Sequence, residues 1–382
     1  MTVRRRTLHV GLVLAIGSIA LAGIGAGSAS AAAHATYRLQ LDAQPPVGEP
    51  WAFLHMFPGP QLKVHQGDVV HAAWDGTDTP HTATFVPTSD PDAWRSANQG
   101  PGGPYAPIEP DSLAGGDDNE LVLTPAVAFP SDPTCGTRDH PCAFDGTSVS
   151  NSGVLFPNPS DQPSAYTVID AEPGTYSMLC LLHPGMQTLL TVVARGTSIP
   201  SPKAVARKTR FQVRQTLALD APVADARAQR VAVHNLGGGH SLWTISAGGF
   251  FKNVSANEYV NSGLTIHVGD QLKVNGNFEI HTSTFPAGSV GKVPFIVPQC
   301  EVSGQDTPPP CSDPSTFQLA INNRALLPTE SNVLRNPTAF RNSGLLTDPT
   351  TSFTFLAKRP GTYTMVCLVH GPEMSTSVTV EG

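Results

Sequence analysis

Charge is scarce in this chain. Asp, Glu, Lys and Arg together make up 14% of 382 residues, and aromatic residues only 7%. Nor is there a basic excess: 23 Lys and Arg stand against 30 Asp and Glu, a formal net charge of -7. A nucleic-acid partner is excluded on that balance, and an acidic surface favours a basic protein partner instead. After the N-terminal segment no apolar run is long enough to cross a membrane. What the chain has in quantity is Pro (36) and Gly (35), which suits many short strands joined by turns and argues against a helical protein. The length fits two domains of about 150–200 residues.

The first residues follow a different rule. Arg4-Arg5-Arg6 precedes an apolar run from Leu8 to about Ile24, then small residues with cleavage-type sites ending at Ala31 or Ala33. That order is a secretory signal peptide, so residues 1–33 are set aside from the fold and the mature chain is expected outside the cytoplasm. The Arg run leaves twin-arginine and general export both open. A retained membrane anchor is the alternative, disfavoured because Gly interrupts the run.

Six cysteines sort by position. Cys135 and Cys142 bracket one short loop, Cys300 and Cys311 another, and Cys180 and Cys367 stand apart. All pairings are formally open, but proximity and an export signal favour two local disulfides, 135–142 and 300–311.

Alternating segments mark the strands: Tyr37–Leu41, read as an edge strand, then Gln61–Val64, Gly67–Trp74 and Pro80–Phe85. From Pro87 to about Ser150 only Glu120–Leu123 is strand-like, and so long an irregular stretch points to a functional insertion. Ala165–Ile169 is expected to pair with Thr175–Cys180 across the Pro173-Gly174 turn, and Thr188–Val193 closes the unit. Residues 197–210, polar, basic and Pro-containing, read as a linker between a first domain, 36–196, and a second, 211–382. The second half repeats the first in order. Gly263–Val274 echoes Gln61–Val70, Ile280–Phe285 echoes Pro80–Phe85, and Ser352–Leu356 and Ser377–Val380 follow. A repeat of whole-domain length is a duplicated sandwich and not a solenoid.

One stretch occurs twice. Pro173-Gly174-Thr175-Tyr176 leads through Cys180 to His183 and Met186, and Pro360-Gly361-Thr362-Tyr363 leads through Cys367 to His370 and Met374. In each, a strand period of two places Tyr, Met and Cys on one face, with the Cys at its open end. A thiolate, an imidazole and a thioether so close together suit an ion cycling between Cu(I) and Cu(II). A second His from elsewhere completes a trigonal plane, and His81 and His281 each open a strand at the matching place.

The pattern Gly-Asp-x-Val, Pro-His-Thr-x-Thr-Phe and Pro-Gly-Thr-Tyr-x-x-x-Cys-x-x-His-x-x-Met resembles the cupredoxins, the type 1 blue copper proteins. Cys180 to Met186 is nearest the amicyanin-like members, and the second loop is one residue longer. The resemblance implies an all-β chain of two tandem cupredoxin-like Greek-key β-sandwiches after a signal peptide. It implies copper at His81, Cys180, His183 and Met186, a second copper at His281, Cys367, His370 and Met374, and single-electron transfer with a redox partner protein. A homo-oligomer stays open. The stretches from His81 to Cys180 and from His281 to Cys367 are longer than in a minimal cupredoxin. Multicopper oxidases and copper nitrite reductases share such domains but carry His-x-His pairs and a His beside the copper Cys. Here Leu179 and Leu181 flank Cys180, Val366 and Leu368 flank Cys367, and no His-x-His occurs. An enzyme is thereby disfavoured. It remains the alternative, with His234 and His240 as its candidate interfacial ligands, beside a copper-binding or storage module.

Overall fold

The computed structural model describes residues 34–76, 79–110, 121–155, 163–302, 305–307, 309–312 and 317–382. The expected signal peptide lies outside them. Two β-sandwiches of the same plan make up the described chain. In the first, one sheet runs Met56–Phe57, Thr36–Leu41, Val69–Trp74, Ser164–Ile169, Cys142–Phe144. The facing sheet runs Ser150–Leu155, His81–Val86, Gly174–Leu179, Gln187–Val193, Gln61–His65. Thr36–Leu41 runs parallel to Val69–Trp74, and Gln61–His65 parallel to Gln187–Val193, so the two halves of the motif cross between sheets. The second sandwich repeats this with His240–Ser246 parallel to Gln271–Asn275 and Leu264–His267 parallel to Gly371–Glu381. The cores follow from the alternation: Leu39, Val70, Phe85, Met178 and Cys180 are buried together, as are Ile245, Leu272, Phe285, Met365 and Cys367.

Three expectations need correction. Ser164–Ile169 pairs with Val69–Trp74 and Cys142–Phe144, not with Gly174–Leu179, which pairs with His81–Val86 and Gln187–Val193. Ile169 and Met178 both belong to the same core, so the turn between them crosses from one sheet to the other. Thr36–Leu41 is an edge strand only in part, because Met56–Phe57 pairs with its last two residues, Gln40 and Leu41. The segment read as a linker is helical: Pro202–Leu219 forms an 18-residue helix that runs past residue 210, and Ala221–Ala228 continues as a second helix. Ser201 caps the longer helix by accepting from the Ala204 N–H, and Pro202 sits in its first turn, where no N–H is required. Val205 docks in the first core.

The long insertions also find a place. Both disulfides form as expected, Cys135–Cys142 and Cys300–Cys311. Ile108–Pro110 and Leu121–Leu123 of the first half join Phe317–Ile321, Ile296–Val302 and Gln305–Thr307 of the second in one five-stranded sheet. A smaller sheet pairs Trp51–Phe53 with Val254–Ala256. The two halves are thus stitched by backbone hydrogen bonds at two places.

Candidate metal centres

Each Cys strand ends where its sheet opens toward the other domain. Cys180 is fully buried, and its N–H donates to the Met186 carbonyl (2.9 Å), which closes the loop around His183. His81 enters from the neighbouring strand. His81 Nδ1 and His183 Nδ1 approach to 3.1 Å, and Cys180 Sγ lies 3.9 Å from the first and 3.5 Å from the second. In the second domain the same three distances are 3.2, 3.9 and 3.4 Å, between His281, His370 and Cys367. Met186 and Met374 are fully buried in the same cores as their cysteines. Six of the eight residues singled out in the sequence therefore fall into two groups of three, one per domain, and the two methionines lie in the same cores.

The surroundings of the thiols repeat as well. The Thr82 N–H donates to Cys180 Sγ (3.3 Å), and the Thr282 N–H to Cys367 Sγ (3.4 Å). Thr82 Oγ1 accepts from the Leu181 N–H, as Thr282 Oγ1 does from the Leu368 N–H, each at 2.8 Å. Burial pushes the Cys180 thiol up, but His183 and His81 more than offset it and hold it well below its ordinary range. Cys367 is held down in the same way by His370 and His281. Each thiol has two imidazole nitrogens aimed at the same space. That donor set, with a thioether in the same core, fits copper.

Beyond the Cys and His clusters the two candidate centres differ. His81 Nε2 lies 3.2 Å from Asp42 Oδ2, a carboxylate with no exposure. Asp42 stands at a left-handed φ of 64°, six residues along the strand from Thr36, which pairs with Val69. The matching place in the second domain, six residues on from Leu242, is Gly248 at φ 76°. A Cβ there would sit 2.8 Å from the Ala256 carbonyl oxygen, which excludes a side chain. His281 Nε2 is consequently buried without a hydrogen-bond partner. Burial depresses His81, yet Asp42 and Cys180 outweigh it and raise the imidazole, whereas burial leaves His281 lowered.

The centres also face one another. A cavity of about 90 Å³ lies between them, walled by Thr79, Pro80, Leu182 and His183 on one side and by Glu279, Ile280, Val369 and His370 on the other. Glu279 crosses this gap: its Oε1 lies 3.4 Å from His183 Nε2, and its Oε2 is buried without a partner. Burial raises Glu279, but His183, then His370 and His281, pull it down to about 2. Conversely, burial depresses His183, and Glu279 and Cys180 push it up to about 10.

Sequence reasoning missed Asp42, Glu279 and Arg95. Arg95, on the insertion helix Pro91–Asn98, donates to the Cys180 carbonyl (2.7 Å). The remaining histidines among the described residues stay apart from the centres. His71 stacks on Tyr166 with ring centroids 4.1 Å apart, His55 Nε2 donates to the Lys252 carbonyl (2.9 Å), and His234 and His240 are exposed. Among the described residues, the groups of three or more His, Cys, Asp or Glu side chains placed to share an ion are His81, Cys180, His183 and His281, Cys367, His370. No helix among the described residues is long and apolar enough to cross a membrane.

Strand order and register give the same all-β, cupredoxin-like sandwich plan twice, each copy with one Cys and two His side chains converging. No protein-family model matches the chain, and no curated protein does. Among solved structures, reduced auracyanin from Roseiflexus castenholzii is similar over 42% of this chain and 98% of its own, at 16% identity and a TM-score of 0.24. A copper-containing nitrite reductase from Thermus scotoductus is similar over 91% of this chain and 68% of its own, at 12% identity and a TM-score of 0.22. A multicopper oxidase is similar over 91% and 88%, at 10% identity and a TM-score of 0.19.

Proposed function

We propose that the chain is an exported electron-transfer protein that binds one type 1 copper in each domain. The observation that carries this reading is the duplication of one buried His-Cys-His arrangement, with corresponding distances agreeing within 0.1 Å. A site kept only for packing has no reason to retain converging imidazoles in both copies. Cys180, His81, His183 and Met186 would hold the first ion, and Cys367, His281, His370 and Met374 the second. Bound copper would supply a one-electron couple.

The protein's own part is to keep the site rigid and dry. The Thr82 and Thr282 N–H groups donate to the sulfurs and temper their charge. Leu181 and Leu368, each directly after its Cys, are buried, whereas Pro184 is exposed. Two disulfides favour an oxidising compartment, in keeping with the N-terminal export signal. The electron donor and acceptor would be proteins that dock outside the shared interdomain cavity.

The test is copper stoichiometry and the optical spectrum of the copper-loaded mature chain, with Cys180→Ser and Cys367→Ser. Two coppers with strong thiolate-to-copper absorption, about half lost in each variant, are expected. A colourless protein without tightly bound copper would sink the proposal. Copper that survives the loss of both cysteines would favour an enzyme.

A further inference from the structure

We infer that Asp42 and Glu279 make the two centres a polarised pair, the Cys180 site favouring the oxidised ion and the Cys367 site the reduced one. The inference rests on the copper reading above. In the first centre each of the two imidazoles has its outer nitrogen against a buried carboxylate: His81 Nε2 is 3.2 Å from Asp42, and His183 Nε2 is 3.4 Å from Glu279. Asp42 is fully buried and Glu279 nearly so, at 4% exposure, so neither charge is screened by solvent. A carboxylate accepting from the outer N–H makes a ligating imidazole a stronger donor, which stabilises the more highly charged ion. The effect is strongest in a dry, low-dielectric site.

The second centre lacks the counterpart. Gly248 occupies the place of Asp42, a side chain there would collide with the Ala256 carbonyl, and His281 Nε2 has no partner. Where the second domain has Glu279, two residues before His281, the first has Thr79 two residues before His81, so the carboxylate is not exchanged in return. Glu279 comes from the second domain but rests its Oε1 on a ligand of the first. Since His183 and His370 line the same cavity, each centre has the other as a neighbour inside the chain. A single electron shared by the pair would therefore reside on the Cys367 side, with no bond made or broken and no proton moved.

The test is the reduction potential of each centre alone, by optical redox titration of the copper-loaded full chain carrying Cys367→Ser or Cys180→Ser. We expect the electron to favour the Cys367 centre at least tenfold, which for a one-electron couple corresponds to about 59 mV. Asp42→Asn keeps the Oδ1 acceptor for the Ala43 and Phe53 N–H groups and replaces the charged Oδ2 acceptor facing His81 with an amide NH2. Asp42→Asn and Glu279→Gln, each in the Cys367→Ser background, should raise the potential of the first centre. A readout that needs no turnover is the imidazole N–H resonance of His81 and of His183 in the Cu(I) protein, which Asp42→Asn and Glu279→Gln should each move. Two coloured centres of equal potential, or a first-centre potential that neither variant alters, would overturn this inference alone. A chain binding no copper would overturn it together with the proposed function.

Discussion

Asn151 and Asn342 occupy the same place in the two domains and make the same four side-chain hydrogen bonds. Asn151 Nδ2 donates to the carbonyls of Ala126, Val127 and Phe129, and Asn342 Nδ2 to those of Arg324, Ala325 and Leu327. Each Oδ1 accepts from a threonine, Thr84 or Thr284, at 2.8 Å. That threonine pairs with Thr82 or Thr282, whose Oγ1 in turn accepts the N–H that follows the cysteine. A chain of buried hydrogen bonds thus runs from a short helix in each insertion to the back of each Cys loop.

Truncating the amide should cost more than one hydrogen bond. Asn151→Ala leaves the carbonyls of a short helix without their side-chain donor and the Thr84 hydroxyl without one of its two partners in a buried place, which should destabilise the protein by about 3 kcal/mol. Asn342→Ala should cost about the same. Denaturant unfolding of the metal-free protein measures both. A loss below about 0.5 kcal/mol would mean that water replaces the amide and the clamp carries no stability.

Arg95 acts on one centre only. Its guanidinium donates to the Cys180 carbonyl (2.7 Å) and to Gln99 Oε1 (2.6 Å), while Gln99 Nε2 donates to the Leu181 carbonyl (2.8 Å). Arg95→Ala should loosen the first Cys loop and speed copper loss from that centre to a chelator by about tenfold, corresponding to about 1.4 kcal/mol. The second centre should be unchanged. Equal effects on both absorption bands would place the residue's role in global stability instead.

The candidate ligands were legible because each motif is local: Cys180 and His183, or Cys367 and His370, are three residues apart, and His-Thr-x-Thr-Phe marks the partner strand twice. Sandwich alternation was legible for the same reason. What binds distant segments was not. Asp42 reads as an ordinary turn residue, and Glu279 as a solvated charge, until the fold sets them against His81 and His183. Trp51–Phe53 and Val254–Ala256 are too short to show a period. The helix Pro202–Leu219 did carry a start signal, Ser201-Pro202, but its polar and basic composition masked the buried Val205, Thr209 and Thr216.

The pH dependence of stability should be set in part by Glu258. Burial, and then its neighbour Asp225, push this carboxyl up to about 7, against Asn261, which donates to Oε2 at 2.7 Å. A raised carboxyl binds its proton more tightly in the folded state than in the unfolded one. Its contribution is therefore greatest below the unfolded value of about 4.5 and is lost as pH rises through about 7. Glu258→Gln should flatten the denaturant midpoint between those limits. A wild-type midpoint that rises with pH across the same window would contradict the assignment.

The two domains should unfold together. Phe53, fully buried, lies on a first-half strand that pairs with Val254–Ala256, and its side chain packs in a cluster with Ala221, Ala224, Ala228 and Val254. A second seam joins Leu121 and Val122 to Ile321 and Ala320. Neither sandwich can open without breaking backbone pairing to the other, so calorimetry of the metal-free chain should give one transition and not two. Phe53→Ala should remove about 4 kcal/mol. Because the lost packing belongs to the seam, the variant should also split the transition, with one domain melting ahead of the other. A wild-type chain that already melts in two steps would show that the seams are too weak to couple the halves.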